Sequence, residues 1–169
     1  IRMLAQTFEE CVEESAAHAV LVTAPAGMGK SRLAYEVLST VKARGEPVSI
    51  WMGRGDSLRA GSAFGLLGQV IRGACEIKDG EPIEDRRAKL RARVARRVPE
   101  GERERVAELL GEIIGTPFPD ENSFSLRAAR KDPHLMNEQM LSAWTAFLAA
   151  ECAASPILRT SRPWTPTGC

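Results

Sequence analysis

One stretch constrains this chain more than any other: Ala24-Pro25-Ala26-Gly27-Met28-Gly29-Lys30-Ser31, set between an apolar run and a helix-periodic segment. Residues 19–23, Ala-Val-Leu-Val-Thr, show no polar alternation, the pattern of a strand covered on both faces in a parallel sheet. Lys30 to Arg44 then places Leu33, Val37 and Val41 on one stripe, stopped by Gly45 with Pro47 beyond. Val48 to Met52 reads as the next strand. Strand, loop, helix, strand is a crossover unit, and it implies a parallel pair. The expected fold class is α/β, a parallel sheet with flanking helices.

The loop fits a phosphate-binding pattern: Ala or Gly, four residues, then Gly-Lys followed by Ser or Thr. Gly27 and Gly29 permit positive φ and let the backbone approach a phosphate closely. Successive N–H groups then form an anion nest at the start of the Lys30 helix. Lys30 is expected on the β- and γ-phosphates, and the Ser31 hydroxyl on Mg²⁺. The candidate ATP-binding residues are Ala24, Pro25, Ala26, Gly27, Met28, Gly29, Lys30, Ser31 and Arg32. Ser31 is the candidate metal ligand. Ala24 stands where Gly is usual, which relaxes the pattern. No residue is assigned a catalytic role.

The remaining chain reads as helical. Leu4, Phe8 and Val12 mark a first helix within residues 1–17. Phe64, Leu67, Val70, Ile71 and Ala74 mark another after a Gly-rich loop at 53–62. Residues 83–98 and 102–114 follow, the latter carrying Val106, Leu109, Leu110, Ile113 and Ile114. Asp132-Pro133 is an N-cap followed by Pro at the first helical position, opening a helix to about Ala154. Met136, Met140, Trp144, Phe147 and Leu148 form its apolar side, read as core. Ile157-Leu158 begins a third strand.

Composition excludes several classes. The 169 residues suffice for one domain core. Lys and Arg number 23 against 22 Asp and Glu, so overall charge implies no nucleic-acid partner. No apolar run reaches the length of a membrane span. Cys11, Cys75, Cys152 and Cys169 lie far apart, as do His18 and His134, so neither a zinc site nor a disulfide framework is indicated. Free thiols suit a reducing cytoplasm.

The loop, the Ser31-Arg32-Leu33-Ala34 start of its helix, the Trp51–Asp56 strand and turn, and the helix ending Ala-Ala-Glu-Cys-Ala-Ala-Ser-Pro resemble the AAA/STAND-type ATPase module (Orc1-like AAA) of bacterial multidomain regulators. Such regulators include serine/threonine kinases, adenylate cyclases and LuxR-type transcription regulators. The resemblance covers residues 1–158. It implies a P-loop NTPase sheet with a helical insertion over 64–154, and ATP and Mg²⁺ as cofactors. It also implies an ATPase switch governing other domains of a larger parent. Contact with nucleic acid would come only through an output domain outside this chain. The oligomeric state, the effector and the output domain stay open.

The resemblance also places an acid-ended Walker B strand after Pro156. Here Ile157-Leu158 leads into Arg159-Thr160-Ser161-Arg162-Pro163, with no carboxylate through Cys169. Residues 159–169 are therefore read as an atypical tail, from a frame shift or truncation, and 1–158 as a partial ATPase domain. The family's Gly-Arg-Glu segment before the first helix is also absent. The chain itself is expected to bind nucleotide weakly and to be deficient in hydrolysis. Residues 19–23 are expected to lack lateral neighbours, and the second strand to lose its partner.

Two other readings compete. A P-loop small-molecule phosphotransferase would need acids after the second strand, where Asp56 stands. A non-catalytic interaction fragment would dock a partner through helices 83–114. The basic stripe Arg86, Arg87, Lys89, Arg91, Arg93, Arg96 and Arg97 is read as a solvated helix face, flanked by acids and without interleaved aromatics. Arg127 and Arg130 are read in surface or capping roles rather than as γ-phosphate sensors.

Overall fold

The computed structural model describes residues 1–14, 18–43, 45, 48–54, 64–153 and 157–162, excepting the side chains of 54 and 158–162. Helix dominates. The elements are α1 (Arg2–Glu13), α2 (Lys30–Ala43), β1 (Ser49–Arg54), α3 (Gly65–Ala74), α4 (Ile83–Ala95), a 3₁₀ turn (Glu100–Glu102), α5 (Arg103–Ile114), α6 (Phe124–Lys131), α7 (Pro133–Cys152) and β2 (Ile157–Arg162).

Strand structure among the described residues is confined to β1 and β2. They lie parallel, with Ser49 opposite Ile157 and Arg54 opposite Arg162. Residues 19–23 form no strand and are exposed throughout, Leu21 to 88%. The expected α/β P-loop parallel-sheet fold is thereby corrected: the molecule is mostly helical, and the loop at 24–31 is not seated on a sheet. The physical reason is hydrogen bonding. An apolar run becomes a strand only when neighbours take up its N–H and C=O groups.

The expected loss of a partner for the second strand is corrected too. Backbone from 157 to 162 pairs with β1, so part of the stretch read as an atypical tail continues a strand. The strand ends just before Pro163, which has no N–H for a ladder.

α5 is the hub of the helical body. Val106, Ala107, Leu109, Leu110 and Ile114 are all buried, so it is covered on nearly every side. It ends in a Schellman motif. Gly115 takes φ +67, Thr116 N–H donates to the Gly111 carbonyl at 2.8 Å, and Gly115 N–H to that of Glu112 at 3.4 Å. The returning chain passes so close that a Cβ on Gly111 would lie 2.6 Å from the Thr116 carbonyl and 2.8 Å from the Phe118 ring.

α7 opens as its sequence dictates. The Asp132 carboxylate accepts from His134 N–H at 2.9 Å and Leu135 N–H at 3.3 Å, and Pro133 occupies the first helical position. Its apolar side meets β1 in an aromatic cluster. Trp51 stacks on Phe147 with centroids 5.9 Å apart, and Trp144 lies 6.1 Å from each. Around this cluster the main core gathers Val70, Ile71, Leu90, Val94, Val106 and Leu110. α6, capped by Ser123, seats Leu126 in a smaller cluster with Leu109, Ala143 and Met136. α1 and α2 bury Ala5, Phe8, Leu38 and Val41, which belong to neither cluster.

Candidate functional site

The loop before α2 takes the local form that its residues predict. Gly27 and Gly29 adopt φ +80 and +82, a region that L side chains avoid. A Cβ at either glycine would meet nothing within 4 Å, so the loop is open on that side. α2 begins at Lys30, and its first regular bond runs from Leu33 N–H to the Gly29 carbonyl at 2.9 Å. The N–H groups of the first turn are left without intrahelical acceptors, the ordinary condition of a helix start.

Lys30 closes the loop on itself. Its ammonium donates to the carbonyls of Ala24 at 2.5 Å and Pro25 at 2.8 Å. The cation thus spans from the first helical residue back to the loop's first two residues. Ser31 is exposed beside it, as are Ala26, Met28 and Arg32. Arg32 lies 3.7 Å from Glu36, one turn along the exposed helix face.

The sequence-predicted residues Ala24 to Arg32 are therefore brought together in one exposed turn. The open glycine side and the positive φ values fit a phosphate group. For Mg²⁺ the turn offers one side-chain oxygen, the Ser31 hydroxyl, so most of the ion's ligands would be the nucleotide's own phosphates and water. Among the described residues no group of three or more His, Cys, Asp or Glu side chains is placed to hold a metal. Asp56 lies outside the described residues, as does Cys169.

The basic stripe is a solvated face only in part: Arg91, Arg96 and Arg97 are exposed, whereas Arg86, Arg87, Lys89 and Arg93 are half-buried and bound to neighbours. Arg86 donates to the Gly115 carbonyl at 3.4 Å, and Arg87 to that of Pro117. Arg72 of α3 reaches the Ile114 carbonyl at 3.2 Å. Three guanidinium groups thus meet carbonyls at and just beyond the end of α5, where the helix dipole favours positive charge. Lys89 binds Glu81 at 2.5 Å, and this bond holds the Glu81 carboxyl below its ordinary range. Arg91 binds Glu104 at 2.8 Å and lies 4.7 Å over the Phe118 ring.

Arg93 makes a bidentate pair with Glu151, at 2.6 and 2.7 Å. Glu151 is only 3% exposed. Cys75 lies in the same region. Burial pushes its thiol up to about 12, against the opposing pull of Arg93, which leaves it without thiolate character. Cys11, Cys75 and Cys152 are all free thiols.

Arg130 is fully engaged by Glu112 at 2.6 Å, Asp120 at 2.8 Å and the Phe118 carbonyl at 2.9 Å. Arg127 donates to the Glu121 carbonyl at 3.0 Å. Both hold α6 and the turn before it. A pair without a strong sequence signal is the buried Glu108 with the half-buried Ser123, joined at 2.7 Å. Its only sequence signal is a carboxylate set within Val106-Ala107-Glu108-Leu109-Leu110.

Among known proteins, the chain matches no family model, no curated relative and no solved structure. No helix among the described residues is long and apolar enough to cross a membrane.

Proposed function

We propose that the turn from Ala24 to Arg32 binds the phosphates of a nucleotide, ATP by its motif. The observation that carries this is the combination of two positive-φ glycines, an open cradle and a lysine folded back over the loop at the start of a helix. The exposed N–H groups would answer phosphate charge, and Lys30 would transfer its contacts from the Ala24 and Pro25 carbonyls to phosphate oxygens. Ser31 would complete the shell of a magnesium ion carried by the nucleotide. The resemblance in sequence suggests that this binding serves as a switch within a larger bacterial signalling or transcription regulator.

The reading is limited to binding. Lys30 and Ser31 supply a cation and a hydroxyl, and no carboxylate is assigned to prepare an attacking water. Neither competing reading gains from the geometry. In the helices 83–114 that the docking reading invokes, Arg86, Arg87 and Arg93 are bound to neighbours within the body.

Titration of the chain with Mg-ATP, followed by calorimetry, tests the assignment. Lys30→Ala removes a charged donor, worth about 1.5–3 kcal/mol, so affinity should fall roughly tenfold to hundredfold. Equal affinity of the two proteins rules out the loop as the site.

A further inference from the structure

Glu108 is 6% exposed on α5, with Ala107 at 1% and Leu109 at 3% beside it. The Ser123 hydroxyl donates to its Oε2 at 2.7 Å. The same hydroxyl caps α6 by accepting from Leu126 N–H at 3.3 Å, and Ser125 Oγ lies 3.4 Å away. The carboxylate and the helix cap thus share one oxygen.

The charges around Glu108 leave it poorly compensated. Glu104 lies one turn earlier on α5 and repels it. Arg91 of α4 and Arg130 of α6 attract it, but each is already held by another carboxylate, Arg91 by Glu104 and Arg130 by Glu112 and Asp120. α7 presents Met136 and Ala143 to the adjoining seam. Among the described residues, the hydrogen bond that an ionised Glu108 receives is from the neutral Ser123 hydroxyl, and a buried charge so held is costly.

We propose that Glu108, buried where α6 meets α5, makes that contact a proton-operated latch, tight when Glu108 is protonated and loosened when the cost of a buried charge outweighs the Ser123 bond that opposes it. Opening exposes Leu109, Leu126 and Ala129, which are buried while the latch is closed. Arg130, held by Asp120 and Glu112, acts as a second fastening that does not pass through Glu108.

The sign follows from linkage. Burial, more than any other influence, holds the Glu108 carboxyl above its ordinary value of 4.5. The folded protein then binds the proton more readily than the unfolded one. Stability falls as pH rises from 4.5 through the raised value, and it is recovered on acidification through the same window.

The experiment is amide exchange of Leu126 to Arg130 in the full chain, corrected for intrinsic rates, from about pH 4.5 to about pH 8. The Glu108 carboxyl carbon signal is followed in parallel. Protection of α6 should drop severalfold as that signal titrates, while Glu108→Gln gives a flat profile. Ser123→Ala removes the bond that favours the charged form, so the transition should move to higher pH whatever the plateau. A flat wild-type profile overturns the latch. So does the same slope in Glu108→Gln, or an unmoved transition in Ser123→Ala.

Discussion

Phe8 on α1 and Phe147 on α7 are both buried aromatics, yet they sit in different surroundings. Phe147 lies in a cluster to which β1, α3, α4, α5 and α7 all contribute. Phe8 belongs to neither core cluster; it lies on α1, which touches α2, and the buried residues of the two helices are Ala5, Phe8, Leu38 and Val41. The helical body covers its apolar residues from several directions. The N-terminal pair covers a few and leaves Val20, Leu21, Val22 and Met28 in solvent, 43–88% exposed. The difference shows that apolar sequence is not enough to make a core. A core needs elements arriving from several sides, and the candidate phosphate turn lies in the part of the chain that has fewer of them.

This contrast can be broken most directly by truncating the two rings. Phe147→Ala should lower global stability by about 3–5 kcal/mol, the usual cost of emptying a large core site. Phe8→Ala should loosen α1 and α2 with a smaller effect on the body. Urea unfolding monitored by Trp51 and Trp144 reads the first, and amide exchange in α1 the second. Equal losses in both proteins would mean that the two regions unfold as one unit.

A second test concerns the buried ion pair. Arg93→Ala strands the Glu151 carboxylate, 3% exposed, and should cost about 3–5 kcal/mol. The double change Arg93→Met with Glu151→Leu should recover most of that, since it removes both charges together. Failure of the double variant to recover would show that the pair does more than answer its own burial.

The smallest effect is at a helix start. Asp132→Ala deletes the cap of α7 and should cost about 1 kcal/mol, read as a drop in unfolding midpoint. Lys30→Ala, by comparison, should leave the body's stability unchanged, because among the described residues its ammonium is bonded to carbonyls of its own loop. A large destabilisation by Lys30→Ala would tie the phosphate turn to the body after all.

Much of this was legible in the sequence, for a physical reason. Helices satisfy their own backbone, so local periodicity and caps suffice to place them. The Asp132-Pro133 start and the Leu109, Leu110, Ile113, Ile114 stripe appear where the sequence puts them. The loop's positive-φ glycines follow from their lack of a side chain. Strands depend on distant partners, and there the reading failed in both directions. Residues 19–23 have strand composition and form no strand, while β1 keeps a partner it was expected to lose. α6 is short, yet its sequence does carry signals that went unused: Ser123 as a cap, and Leu126 and Ala129 on one face against Arg127 and Lys131. The inward turn of the α4 arginines depends on where α5 ends in space, which no local pattern encodes.

The β1–β2 pairing has a further consequence, for the order of folding. Ser49 meets Ile157 across about 100 intervening residues, whereas α3 to α7 join neighbours near in sequence. Long-range closure is slow relative to local helix contacts. During synthesis the helical body can therefore assemble on the emerging chain before residues 157–162 exist. Trp51 would wait at its edge until β2 is delivered and the two strands zip together last.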